Sequence, residues 1–363
     1  MKTVFLNAGN ETGGGLVHVV SLLKKLKHES IDLIVFEEGP VAKAARKEGI
    51  DVYVFEQSNQ FDLSVLFRLR TFINNRHYNI VHTHGPRANV LMATLIPFIR
   101  VKWVTTIHSH PLLDFKNQGL KGKLLTFIHC QALKRAHGFI AVSNEIKSVI
   151  ENLGVESGRI EVIHNGIQFS QSHRPVNNKI TQPFTLITVG RLTEIKGYSI
   201  LMDALNSFEK KDWQWIVCGD GEEMNALVTK AKQYNLDQQI YFKGWLTTTE
   251  INSVFHYADL FVLSSLSESF PLSLLEAASE KVPAIATHVG DVSDVIKDDT
   301  MGWLIPPKDS TAMKEALQEA YVLWEKGKLS CKGEQLYTHA SSFTIEKQTQ
   351  AVMAFYKNIT SET

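Results

Sequence analysis

Short runs rich in β-branched and aromatic residues recur along this chain, each followed by a longer amphipathic stretch, and no other feature restricts the fold so tightly. TVFL, DLIVF, VYVF, NIVHTH, WVTTIH, GFIAVS and IEVIHNG alternate with helical patterns such as residues 17–27 and 64–74. Strands separated by helices pair in parallel through crossovers, so the pattern predicts βα units on a parallel sheet. Residues 168–183 then turn polar and carry Pro175 and Pro183, which is linker composition. The alternation restarts with FTLITVG, WQWIVCG, QIYFKG, LFVLSS and VPAIAT, so a second α/β domain is expected. A chain of 363 residues exceeds what one hydrophobic core usually organises. The expected division is residues 1–165, residues 166–343 and a final segment 344–363, whose Ile345, Val352, Phe355 and Ile359 fall at helical spacing. Doubly wound sheets bind ligands at the carboxyl ends of their strands, so a site facing both domains follows as an expectation.

Charge and cysteine content narrow the partners. Net charge is zero, but residues 1–165 carry 20 basic and 14 acidic side chains against 18 and 24 in the remainder. That asymmetry suggests different partners for the two halves; without a basic cluster interleaved with aromatics, nucleic acid is not expected. Cys130, Cys218 and Cys331 are far apart and odd in number, giving neither a disulfide framework nor a metal-ligand spacing, so a reducing, cytoplasmic setting is expected. The amino-terminal apolar run is too short for a signal peptide, and the longest apolar run, residues 90–99, is broken by Pro97.

Three motifs have the chemistry of an anion-binding site. In ESFPLSLLE, Pro271 predicts a helix starting at about that residue, because proline is tolerated at a first helical position and not further in. Glu268 and Glu276 then bracket a helix amino terminus whose free amides, on Leu272, Ser273 and Leu274, suit phosphate or other electronegative oxygen. TVGRLTEIKG sets Gly190, Arg191 and Lys196 where a strand meets a loop, a fork and a point charge able to neutralise a diphosphate. NAGNETGGG places Gly13, Gly14 and Gly15 before a helix expected at Leu16, without the GxGxxG spacing of a dinucleotide site. CGDGEE has the same strand-to-helix form with Gly219 and Gly221; no P-loop lysine follows, so a tight turn is the better reading. The histidines of HTH (His82, His84) and HSH (His108, His110) could recruit zinc, yet no carboxylate completes a ligand set and hydrogen bonding is favoured.

Together the glycine loop, GRLTEIKG and SSLSESFPLSLLEAASEKVPAIAT resemble glycosyltransferase family 4, retaining transferases of the GT-B fold with two Rossmann-like domains facing a central cleft. The signature E-x7-E followed by A-x5-P runs from Glu268 through Glu276 to Pro283, and VIHNGI and GWLTTTEI extend the resemblance along nearly the whole chain. It implies that Arg191 and Lys196 hold the donor diphosphate, with Gly190 beside them. Glu276 would bind the ribose hydroxyls, Glu268 the donor sugar, and the segment Phe270, Pro271, Leu272, Ser273 would line that sugar through its amides. Gly14 and Gly15 would approach the donor phosphate, His108 the reacting carbon, and the final helix would cross back to the first domain. Ser269, Pro271 and Asp291 stand where glycine is frequent in the family, which leaves the sugar open. The implied function is transfer from a nucleotide sugar, with UDP the expected carrier, to a glycan or lipid-linked acceptor in cell-surface polysaccharide or glycolipid synthesis. The absence of an Asp-x-Asp motif agrees with a site without metal or other cofactor. The alternatives are a sugar-nucleotide epimerase of the same fold and a non-catalytic transferase-like subunit. FKNQGLKGKLLTFIHCQALKR mixes Lys116, Lys121, Lys123, Lys134 and Arg135 with Phe115, Leu124, Leu125, Phe127 and Ile128, and two readings stay open: an ordinary helix packed on the sheet with a solvated basic face, or a segment that touches an anionic membrane at the inner face of the cell.

Overall fold

In a computed structural model the described residues are 1–56, 62, 64–115, 118–169 and 183–361. Most of the expected linker, Pro175 included, lies outside them, as does Lys116. The chain divides into two compact units, Met1–Gly166 with Ile345–Thr363, and Ile167–Thr344.

In the first unit the strands are β1 (Thr3–Asn7), β2 (Ile31–Val35), β3 (Val52–Val54), β4 (Ile80–His84), β5 (Lys102–Ile107), β6 (Gly138–Ala141) and β7 (Ile160–Val162). All pair in parallel in the order β3-β2-β1-β4-β5-β6-β7. The crossovers hold α1 (Gly14–Lys25), α2 (Pro40–Lys47), α3 (Ser64–Arg76), α4 (Pro86–Leu95), α5 (Gly119–Leu133) and α6 (Asn144–Asn152). Strand order reverses between β1 and β4, where the chain leaves in opposite directions and a crevice opens beyond Asn7 and His84.

The second unit repeats the plan with β8 (Phe184–Val189), β9 (Trp213–Cys218), β10 (Ile240–Gly244), β11 (Leu260–Leu263), β12 (Ala284–Thr287) and β13 (Gly302–Ile305), ordered β10-β9-β8-β11-β12-β13. Its helices are α7 (Tyr198–Asn206), α8 (Met224–Gln233), α9 (Thr248–Tyr257), α10 (Leu272–Ser279), α11 (Val292–Val295), α12 (Ser310–Glu325) and α13 (Leu329–Ala340). The reversal here falls between β8 and β11, so the residues after Val189 and Leu263 are the ones placed at the crevice. Both sheets are covered on their two faces, and accordingly β1, β4 and β11 are buried along their whole length.

The last helix, α14 (Ile345–Ser361), belongs to the first unit. Val352, Phe355, Tyr356 and Ile359 join the cluster built on Phe5, Val19, Leu22 and Leu23, and Gly138 gives Ile359 room, since a Cβ there would stand 2.0 Å from its methyl carbon. The Tyr356 hydroxyl lies 2.5 Å from His82 Nδ1, whose Nε2 is 2.7 Å from Thr106 Oγ1. Both ring nitrogens of His82 are thereby satisfied inside the protein, which makes it a core histidine.

Candidate active site

In the second unit the segment after β8 is held against the end of β11. Ser264 Oγ donates to Lys196 O at 2.9 Å, and the Leu266 amide donates to Ile195 O at 2.7 Å. Gly197, at φ 63°, permits that approach, because a Cβ there would meet Ser264 O at 2.1 Å. The result brings Lys196 onto Glu268: Nζ lies 2.5 Å from Oε1, which also accepts from Ser265 Oγ at 2.6 Å. Arg191, at the mouth of β8, is exposed.

The helix after Glu268 begins one residue later than expected. Pro271 takes an extended backbone (φ −76°, ψ 118°) and caps α10, which starts at Leu272. The amides of Leu272, Ser273 and Leu274 are still the first of the helix, with the positive end of its dipole behind them. The Phe270 side chain is core, packed on Phe343 with ring centroids 5.1 Å apart, so this residue offers its backbone alone to a ligand. Gly290 (φ 53°) lets the next loop close over the segment: a Cβ would stand 2.0 Å from Glu268 O, and the Asp291 amide donates to Ser269 O at 3.1 Å. Glu276, on the second turn of α10, retains a partly exposed side chain, but loss of hydration around its carboxyl group pushes it up to about 7. Beneath the pair lies Tyr198, whose hydroxyl is raised by burial and then by the nearby Glu268 charge.

CGDGEE is a packing turn: Gly219 and Gly221 run so close to Gly190 O and Leu192 O that a side chain on either would collide with backbone.

The first unit collects a different chemistry at its crevice. Helix α1 begins at Gly14, two residues before the expected Leu16, with Gly13 as its cap. Glu11, which no sequence signal marked, sits between the starts of α1 and α4, with carboxylate oxygens 3.0 Å and 2.7 Å from where Cβ atoms on Gly15 and Gly85 would be. Burial raises its pKa against a hydrogen bond with Asn7. His84 Nδ1 is 3.1 Å from His108 Nε2, and His18 packs edge-on against His108 with centroids 4.4 Å apart. Burial, reinforced by the neighbouring imidazoles, holds His84 and His108 well below the usual histidine range, so both rings are neutral. One nitrogen from each of His18, His84 and His108 lies within 4.8 Å of the others, near enough for a divalent ion. The hydrogen bond shared by His84 and His108 instead describes an imidazole stack, and an ion would have to displace its proton.

Comparison with known proteins places these two halves. The family model described as Glycosyltransferase Family 4 matches residues 12–171, and the one described as Glycosyl transferases group 1 matches residues 169–328. The chain belongs to glycosyltransferase family 4. Among relatives of this family-4 chain, the UDP-Gal:alpha-D-GlcNAc-diphosphoundecaprenol alpha-1,3-galactosyltransferase of Escherichia coli is 28% identical over 272 residues, 70% of each chain. The O-antigen biosynthesis glycosyltransferase WbnH of Escherichia coli is 27% identical over 303 residues, 82% of this chain and 84% of that one. The crystal structure of HepE from Anabaena in complex with UDP-glucose superposes with a TM-score of 0.85 at 19% identity, covering 99% of this chain and 100% of the other, which establishes the GT-B fold.

For this family-4 chain, the structure brings Lys196, Glu268 and the start of α10 to one crevice and sets His108 at another, within the unit that carries Gly14 and Gly15. Ser265, Ser264, Tyr198 and His18 stand beside these residues and were missed. Ser264 and Ser265 do follow directly on the β11 run, a signal that could have marked them.

Proposed function

We propose that this chain is a retaining, metal-independent glycosyltransferase. It moves a sugar from a nucleoside-diphosphate sugar, with UDP as carrier, to a glycan or lipid-linked acceptor in cell-surface polysaccharide or glycolipid synthesis. The observation that carries the reading is the Lys196–Glu268 contact at the β8/β11 reversal, next to the free amides of α10. An ammonium, the Arg191 guanidinium and a helix start are what a departing diphosphate needs in place of a divalent cation. The names of the relatives, a UDP-galactose-dependent transferase and an O-antigen transferase, support the donor and acceptor classes.

In the step itself the bond from the anomeric carbon to the β-phosphate oxygen breaks. An acceptor hydroxyl oxygen bonds to that carbon on the same face, and its proton passes to the departing phosphate oxygen. No protein nucleophile is used; Arg191 and Lys196 stabilise the leaving charge, Glu276 and Glu268 fix the ribose and the sugar, and neutral His108 lies beside the reacting carbon. A thermal-shift panel of nucleotide sugars, followed by turnover with polyprenyl-diphosphate-linked saccharides in EDTA, tests this. Retention of anomeric configuration at an undiminished rate is expected; inversion, or activity recovered only with added divalent ion, overturns it.

The same reading includes peripheral contact with the inner face of the cell membrane. No described helix is long and apolar enough to cross a bilayer. On α5, however, Leu120 is 84%, Leu124 59% and Phe127 61% exposed, at the i, i+4, i+7 spacing of one helix side. That helix contains no acidic residue, and Lys121, Lys123 and Lys134 flank the apolar stripe, while the exposed Arg135 donates to Ala93 O. Apolar residues ringed by cations suit the headgroup boundary of an anionic leaflet. Co-sedimentation with phosphatidylglycerol vesicles is expected, with loss of binding in Leu120→Ser/Phe127→Ser; equal recovery with phosphatidylcholine removes the idea.

A further inference from the structure

The last helix reaches His18 through one polar side chain. Most of the inward face of α14 is apolar, yet Gln348 is buried among it. A buried amide is costly unless both ends are satisfied. The Gly166 amide donates to Gln348 Oε1 at 2.9 Å, and Gln348 Nε2 lies 3.1 Å from His18 Nδ1. The Gly166 contact fixes the amide, because turning it over would set N–H against N–H, so Nε2 is the atom that faces the ring. Asn165 Oδ1 lies 2.8 Å from the same ring nitrogen. His18 Nδ1 therefore has a donor on one side and an acceptor on the other: bare, it accepts from Gln348; protonated, it donates to Asn165. Its Nε2 is buried with no partner among the described residues.

We propose that Gln348 is a positioning residue for sugar transfer: with Asn165 it holds the Nδ1 edge, and so the plane, of His18, and the His18 ring sets the plane of His108. This rests on the reading of His108 as the imidazole beside the reacting carbon. The geometry is direct, since the His18 ring meets the His108 ring at 78° with centroids 4.4 Å apart. The titratable groups on the elements around His18 are three imidazoles, Glu11 near the start of α1, whose carboxyl is raised by burial, and the charged side chains Lys25, Glu346 and Lys347. His84 and His108 stay neutral, as does His82 one ring further, while Asn165 and Gln348 carry no charge. Lys25 of α1 pairs with Glu346 of α14 at 2.5 Å, and Lys347 is exposed. Burial holds His18 itself at about 4, opposed by its bond to Asn165.

Gln348→Glu keeps an acceptor for the Gly166 amide and sets a carboxylate against His18 Nδ1, which favours the imidazolium. A cation pressed on His108 opposes the positive charge that develops on the sugar at the transition state. The experiment is kcat and donor KM across pH for wild type, Gln348→Ala, Gln348→Glu and His108→Ala, with melting temperatures alongside. Gln348→Ala is expected to lower kcat about ten- to a hundred-fold with donor KM changed less than about two-fold. Gln348→Glu is expected to move the acid limb of kcat upward by about one pH unit or more. If Gln348→Ala does not fold, the Glu variant, which keeps the Gly166 bond, decides alone. An unmoved acid limb, whether kcat is at wild-type level or falls only in step with melting temperature, overturns the proposal. Wild-type turnover in His108→Ala overturns the reading beneath it, a separate and distinguishable failure.

Discussion

Lys196→Ala is expected to lower turnover by about 10²- to 10³-fold at saturating acceptor, the range seen when one charge-stabilising donor is removed from a preorganised site. The measurement is release of nucleoside diphosphate from the nucleotide sugar. The size of the effect follows from where the ammonium sits. Its backbone is clamped to Ser264 through Gly197, and its Nζ is already directed into the crevice by Glu268, so little reorganisation is needed when a diphosphate arrives. Removal also strips Glu268 of its cation and leaves Ser265 as its remaining donor of the two, so the variant should melt lower than wild type. The double change Lys196→Ala/Glu268→Gln should regain melting temperature without regaining activity, which separates the two roles. Lys196→Arg should not rescue either, since a planar fork does not reproduce a point charge on a straight stem. A wild-type rate in the alanine variant would contradict the assignment.

Glu276 gives the second large effect, in pH. Its carboxyl is pushed up to about 7 by desolvation, so in the unliganded protein it is largely protonated below that value. Ribose hydroxyls donate best to the carboxylate, so donor affinity should fall about ten-fold on going from about pH 8 to about pH 6. Glu276→Gln should bind more weakly throughout and lose that dependence; calorimetric titration of the intact UDP-sugar, without acceptor, at both pH values checks it. Stability runs the opposite way. A folded-state value above the unfolded one means that the favourable contribution of this group is complete below its unfolded range near 4.5 and is lost as pH rises through about 7. Without donor, Glu276→Gln should therefore be more stable than wild type at about pH 8, by on the order of 1–2 kcal/mol after allowing for the partial exposure of the side chain, and the two should converge at about pH 4. A wild-type melting curve indifferent to pH across this window would exclude the shifted carboxyl.

Most of the fold was legible because buried parallel strands leave long apolar runs that turn residues punctuate, and twelve of the thirteen strands announced themselves that way. The exception, β13, begins at Gly302 and runs directly into Pro306 and Pro307, so turn residues at both ends conceal it. Helix starts were off by one or two residues at Pro271 and at Leu16, because capping depends on a single backbone angle and glycine or proline can stand on either side of the boundary. At the site, residue types were legible and pairings were not. Lys196 meets Glu268 across 72 positions, and Gln348 meets His18 across 330. HTH looked like a matched pair, and the two rings do share one face of β4, 4.3 Å apart, yet His82, inside the strand, is satisfied by Tyr356 and Thr106 while His84, at its carboxyl end, meets His108.

Because α14 completes the apolar cluster around Phe5, synthesis of this polypeptide has an unusual schedule. The amino-terminal lobe emerges first from the ribosome but lacks its closing piece until the carboxyl lobe has been made, whereas the carboxyl lobe, continuous in sequence, can consolidate ahead of it. The lobe made first is thus the lobe finished last, and a nascent chain stalled shortly before residue 345 would display unprotected apolar surface for a chaperone to hold.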